Sequence, residues 1–174
     1  STTYPTGIFT NENLDRVVIK GIEAKGELQL AELIHAAPQG LHWTSSIAYA
    51  DGKNVGDAEP LNSVAPLTFA NTLGYDADGD TWGADLTATW RAAKKASDIT
   101  TSNQWQAIPA STVLDLTTYY RPLDNVTLRA GLFNLTDEKY WLWNTVRQVA
   151  NSSANLDRYT QPGRNVGVSV DVTF

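Results

Sequence analysis

Asn165-Val166-Gly167-Val168-Ser169-Val170-Asp171-Val172-Thr173-Phe174 places an apolar side chain at every even position and a small or polar one at every odd position. A repeat of two is the signature of a β-strand, whose successive side chains point to opposite faces. The same reading holds for Trp82, Ala84, Leu86, Ala88, Trp90 and Ala92, which alternate with Gly83, Asp85, Thr87, Thr89 and Arg91.

Five further stretches show the pattern. Val18, Ile22, Ala24, Leu28 and Leu30 oppose Glu23, Lys25, Glu27 and Gln29 within a strand predicted over 14–34. Leu41, Trp43, Ile47 and Tyr49 oppose His42, Thr44, Ser46 and Ala48, and Leu67, Phe69, Leu73 and Tyr75 oppose Thr68, Ala70, Thr72 and Gly74. Leu114, Leu116 and Tyr120 oppose Asp115 and Thr117, and Val126, Leu128, Ala130 and Leu132 oppose Thr127 and Arg129. The sequence therefore predicts seven antiparallel strands.

The connections alternate in length. Short turns fall at Pro38-Gln39-Gly40, Asp76–Asp80 and Arg121–Asn125, where Gly, Pro, Asp and Asn supply turn conformations. Long connections cover roughly 51–66, 93–111 and 135–164. Segregation of short turns to one end and long loops to the other is the habit of a transmembrane β-barrel, with one face toward lipid and the other toward a wet lumen. Glu23, Lys25, Glu27, Asp85, Arg91, Asp115, Arg129 and Asp171 suit the lumen face. Trp43, Tyr49, Tyr75, Trp82, Trp90, Tyr120 and Phe174 sit near strand ends, where interfacial aromatic girdles lie. A soluble β-sandwich is the competing architecture, because alternation alone serves it equally. No helix longer than a turn or two is expected; Asn151–Leu156 is the best candidate.

Composition narrows the class. The 174 residues contain no cysteine and carry a net charge of −6. Disulfides and thiolate metal sites are excluded, and a basic nucleic-acid-binding face is not expected. No run of 18 apolar residues forms a transmembrane helix, and Ser1–Pro5 does not open a signal peptide. A mean hydropathy below zero agrees with a barrel, which needs only alternate residues to be apolar. Seven is an odd number of strands, whereas bacterial single-chain barrels close with even counts. The expectation is that at least one strand precedes Ser1, with Tyr4–Asn13 in an extracellular loop.

Several segments carry a resemblance. Asn134-Leu135-Thr136-Asp137-Glu138-Lys139-Tyr140-Trp141 resembles the N-L-[TF]-[ND]-x-x-Y segment of TonB-dependent outer-membrane receptors. Tyr159-Thr160-Gln161-Pro162-Gly163-Arg164-Asn165 resembles their QPGR box before the last strand, and Phe174 their aromatic C-terminus. Gly56-Asp57-Ala58-Glu59-Pro60-Leu61 followed by Val64-Ala65-Pro66, with Asn13-Leu14-Asp15 through Gly21-Ile22-Glu23, is similar to the heme, hemoglobin and hemophore receptor branch. The resemblance implies that residues 1–174 are the C-terminal part of a barrel of roughly 22 strands, with the plug domain and upstream strands outside this chain. It implies import of heme, delivered by a hemophore or hemoglobin and driven by the TonB complex, across the outer membrane of a Gram-negative bacterium. The His-bearing loop that marks heme receptors has no counterpart here, so heme is expected as cargo of the intact receptor. No cofactor or metal is expected on this segment.

Of the functional candidates, Tyr140, Trp141, Trp143 and Arg147 crowd the start of the last long loop. They are read either as outer girdle and loop packing or as a contact surface for a protein ligand, where Trp, Tyr and Arg make favoured anchors. Gln161, Pro162, Gly163 and Arg164 are read as structural, turning the chain into the last strand with Arg164 paired to a carboxylate. Arg129, Asp115 and Asp171 are expected to form ladders that hold the wall against a plug. His35 and His42 flank a short turn, away from any expected heme. Asp76, Asp78 and Asp80 imitate the start of a calcium loop without its closing Glu, which makes a hairpin the better reading. With two such histidines and no cysteine an enzyme is not expected. A ferric-siderophore receptor and an outer-membrane adhesin are the remaining rivals.

Overall fold

The structure is a computed structural model that describes residues 16–100, 104–147 and 149–174; the predicted flank Tyr4–Asn13 lies outside them. Seven long strands follow one another as antiparallel neighbours: β1 (Val17–Gln29), β2 (Leu41–Asn54), β4 (Thr68–Asp76), β5 (Trp82–Arg91), β6 (Ser111–Leu123), β7 (Val126–Phe133) and β8 (Asn165–Val172). An additional two-residue strand, β3 (Glu59–Pro60), pairs with the end of β2 inside the first long loop.

The register decides the chemistry of the two faces. Ile22 lies opposite Tyr49, Ile47 opposite Phe69, and Phe69 opposite Trp90. Leu73, Leu86, Leu116, Leu132 and Val166 continue as partners from β4 to β8. Every apolar set thus lands on one face, and that face is bare: Ile22 is 68% exposed and Val168 80%. A sandwich would bury these side chains against a second sheet, and the described residues contain none. The exposed band is a lipid-facing wall. Its aromatics form two rows. Tyr49, Phe69 and Trp90 lie toward the long loops, and Tyr75, Trp82 and Tyr120 toward the short turns, with the Tyr75 and Trp82 rings 5.2 Å apart. Asn71 shares this face, and the Trp43 indole donates to its side-chain oxygen at 3.2 Å, so its carbonyl is not left bare to hydrocarbon.

Three element boundaries differ from the sequence reading. The first strand stops at Gln29, because Leu30–Leu33 winds into a single helical turn, α1. Leu28 and Leu30 extend the alternation, but Ala31-Glu32-Leu33 are good helix formers that break it. β6 runs through Arg121 and Pro122 to Leu123, and the register shift there accommodates a proline that has no N–H to give the ladder. The helix expected over 151–156 is absent. One helical turn instead occupies Trp143–Val146 (α2) and a 3-10 turn Leu156–Tyr159. Ser153 explains the difference: its hydroxyl accepts from the Asn155 N–H at 3.2 Å, a local bond that favours turns over helix.

The short turns are as tight as expected. At Gly40 φ is +81°, and a Cβ there would stand 1.9 Å from the Asp76 carbonyl oxygen, so only glycine fits. Asp76, Asp78 and Asp80 form the β4–β5 hairpin, and the described residues hold no cluster suited to a metal ion.

A charge in the middle of the exposed band tests its assignment. Leu86→Lys in the intact protein is expected to destabilise folding into lipid vesicles by about 2–4 kcal/mol. Thr89→Lys, on the opposite face of the same strand, is expected to cost far less. Denaturant titration of both variants in vesicles measures the difference, and equal costs would overturn the lipid assignment.

Candidate functional site

The water-excluded core of this chain lies in its long loops, at one end of the sheet. Ile99, Ile108, Trp143, Val146 and Val149 form one buried cluster, with Trp105, Ala107, Trp141 and Leu156 packed around it. Three loops contribute. Lys94 pairs with Ile108 across the second loop, and Trp105 with Ala150 between the second and third. The Gln106 N–H donates to the Val149 carbonyl at 3.0 Å and the Asn151 N–H to Gln104 at 2.7 Å.

Asn62 joins all three loops. Its carbonyl accepts from the Trp143 indole at 2.8 Å; its side chain accepts from the Thr100 N–H at 2.9 Å and donates to the Thr100 carbonyl at 3.2 Å. Lys94 is the second tie. It is 6% exposed, its Nζ donates to the Val64 carbonyl at 2.9 Å, and it lies 5.4 Å from the centre of the Trp143 ring. Burial pushes the Lys94 ammonium below the ordinary lysine value, partly offset by the Asp98 and Asp51 carboxylates. The segment Gly56–Pro66 is therefore the hub onto which the other two loops fasten.

The third loop starts and ends on one knot. Asn134 is 2% exposed and left-handed, at φ +53°. Its N–H donates to the Asp115 carboxylate at 2.8 Å, and its side chain donates to the carbonyls of Glu138 at 2.9 Å and Pro162 at 3.2 Å. The Asp137 carboxylate accepts the Arg164 N–H at 2.8 Å, and the Gln161 N–H donates to Tyr140 at 3.0 Å. Gly163 leaves the space that Asp137 fills, since a Cβ would stand 2.7 Å from that carboxylate. The expected carboxylate partner of Arg164 is present, but it binds the main chain; the guanidinium is exposed and forms no ion pair among the described residues. The expected charge ladder is real only in part. Arg129 pairs with Asp171 across β7 and β8, whereas Asp115 is committed to Asn134.

The four aromatic and basic candidates separate. Trp143 is 2% exposed and holds the loops together. Trp141 is half-buried, its indole donating to the Leu156 carbonyl at 3.0 Å beneath Lys139, which pairs with Asp157 at 2.8 Å. Tyr140 is half-buried, with the Arg91 guanidinium 5.8 Å from its ring centre. Arg147 is exposed at the end of α2. His42 lies at the opposite end, 3.6 Å from Asp76 and 3.5 Å from Asp85 on the inward face, where Tyr119 donates to Asp76 at 2.7 Å. Gly74 makes room for this group, because a Cβ would stand 2.2 Å from His42 Nε2. Periodicity singles out neither Asn62 nor Lys94. Their importance arises from contacts across about 30 residues or more of chain, for which a single sequence carries no local signal.

An antiparallel wall with a bare apolar outer face, a polar inner face and a tied cap of long loops defines an outer-membrane β-barrel protein. The chain belongs to the TonB dependent receptor-like, β-barrel family, whose model matches residues 1–135. Its place is the outer membrane of a Gram-negative bacterium. It is 32% identical to the hemoglobin-haptoglobin utilization protein B of Neisseria meningitidis serogroup A, a match covering 96% of this chain and 23% of that protein. It is 31% identical to the probable hemoglobin and hemoglobin-haptoglobin-binding protein 4 of Haemophilus influenzae, over 96% of this chain and 18% of that protein. The chain thus spans about a fifth of the length of these relatives. Among solved structures, the copper transporter OprC superposes with a TM-score of 0.75 at 26% identity, over 91% of this chain and 24% of OprC. The pyoverdine receptor FpvA of Pseudomonas aeruginosa gives 0.60 at 18% identity, over 91% of this chain and 22% of FpvA, and shares the fold.

Removing the tie between loops is expected to loosen the cap without melting the wall. Trp143→Ala should cost about 3–5 kcal/mol locally and open the loops to protease, while the strands stay resistant. Limited proteolysis with mass mapping of the fragments checks this; cleavage within the strands would contradict it.

Proposed function

We propose that this chain is the C-terminal part of the barrel of a receptor that imports heme, taken from a heme-carrying protein at the cell surface and driven by the TonB complex. The observation that carries the reading is the similarity to hemoglobin and hemoglobin-haptoglobin receptors along 96% of the chain, loops included. The tied loops support it, since a preorganised cap loses little conformational freedom when a protein docks on it. Arg147, with the partly exposed Tyr140 and Trp141, offers the aromatic and basic anchors that protein partners favour. Hemoglobin or a hemophore is the donor in this reading.

In this reading heme is cargo, and neither histidine of the chain is proposed as its iron ligand. His35 and His42 are both at the short-turn end, and His42 is flanked by Asp76 and Asp85. The relatives this chain resembles are receptors, and the chain is read as part of a receptor wall.

The test is growth. The intact receptor, expressed in a heme-requiring bacterium without its own heme receptor, is expected to support growth on hemoglobin as sole heme source. That growth should disappear when the TonB complex is removed. Failure on hemoglobin and on free heme, with uptake of a ferric siderophore, would replace this reading by the siderophore one.

A further inference from the structure

Arg91 is a charged group with no answering charge. It ends β5 at the long-loop end, on the inward face, with Thr68 and Ser111 as its register partners on either side. Its Nη1 is buried and makes no hydrogen bond, and the guanidinium enters no ion pair among the described residues. Buried guanidinium nitrogens ordinarily find an acceptor, so an orphaned one requires a reason. The group borders a cavity of about 160 Å³ lined also by Pro66, Thr68, Ser111, Trp141 and Trp143. Both indole N–H groups there are already spent on the carbonyls of Leu156 and Asn62, and the Thr68 hydroxyl donates to Pro66. Ser111 is 6% exposed, and its hydroxyl has no partner among the described residues. What the cavity offers is one unneutralised guanidinium, with the Ser111 hydroxyl and the Asn144 amide, between otherwise mainly apolar walls.

We propose that Arg91, assisted by Ser111, is a subsite for a carboxylate of the cargo, engaged as the cargo passes beneath the loop cap on the lumen side. A carboxylate supplies what the site lacks: a negative charge, and paired oxygens that match the guanidinium fork. The cavity is too small for a whole porphyrin but admits a carboxylate on a short alkyl arm, with the indoles against the methylenes. Tyr140 on the guanidinium fixes its orientation before the anion arrives. The proposal rests on the heme reading, because heme carries two propionate carboxylates. An acidic side chain from elsewhere in the same receptor has the same chemistry, and the test separates the two sources.

The experiment measures binding of hemin and of hemin dimethyl ester to the intact receptor in detergent, for wild type and Arg91→Gln. Wild type is expected to bind hemin about tenfold more tightly than the ester, the scale of one charge-assisted hydrogen bond. Arg91→Gln should lose that preference by weakening hemin alone, and Arg91→Lys should keep part of it. A preference that survives in Arg91→Gln overturns the proposal. So does a lower thermal transition with the preference unchanged, which assigns Arg91 to a carboxylate of the receptor itself. If Arg91→Gln does not fold, the wild-type comparison decides, since equal binding of acid and ester excludes the subsite. A wild type that binds neither compound removes the heme reading together with this one, whereas binding without preference removes only this one.

Discussion

Hydrocarbon offers no partner to a backbone N–H or C=O, and the rest of this structure follows from that. Each strand inside the membrane must meet its hydrogen-bonding needs from its neighbours. The five inner long strands do so by antiparallel pairing on both sides, and β1 and β8 on the one side where the sheet gives them a neighbour; the register shifts between Tyr120 and Leu123, where Pro122 has no N–H to give. Once pairing is obligatory, register becomes chemistry. A slip of one residue would turn Leu86 inward and Asp85 toward lipid, so the alternation of apolar and polar side chains selects one register at every interface. The bare face from Ile22 to Val168 and the polar face from His42 to Arg129 are two consequences of that selection.

A wall of this kind has no core of its own, and the molecule builds one where water returns. Beyond the strand ends the loops can bury apolar groups against each other, and Ile99, Ile108, Trp143, Val146 and Val149 do so. The cost is a lysine out of water. Lys94 accepts it because a carbonyl and an indole face meet its ammonium, and because the same contacts lock three loops together. Arg91 has the Tyr140 ring beside its guanidinium but no acceptor at its buried Nη1. The same small region thus holds one cation that is structurally satisfied and one that is not, and that contrast makes Arg91 the group to connect with cargo. The interior knot of Asn134, Asp137 and Asp115 does not touch this cavity; it fixes where the third loop leaves and rejoins the wall.

Strand number, order and facing were legible from the chain because each is local. A repeat of two states which side chains share a face, and Gly-rich or Pro-rich breaks state where the chain reverses. The exceptions were local competitions. Ala31–Leu33 prefer a helical turn although Leu30 keeps the strand parity, and Ser153 draws 151–155 into turns that periodicity does not register. The resemblance of Asn134–Trp141 and Gln161–Arg164 to receptor motifs marked them as structural. It could not say that the two segments bind each other, or that the main chain of Arg164 rather than its side chain meets Asp137.

What the sequence alone determined is the wall: seven alternating strands, one apolar and one polar face, and the long-loop end; that the apolar face stays bare, and so meets lipid and not a second sheet, came from the structure. What only the tertiary structure decided is the division of labour within the loops. Trp143 and Arg147 stand four positions apart with equal claims as contact residues, yet one is buried by Asn62 and Lys94 and the other is exposed. Lys94, Asn62 and Arg91 acquire their roles from neighbours distant in the chain. Burial and partnering depend on what folds back onto a residue, and no period in the surrounding sequence encodes that.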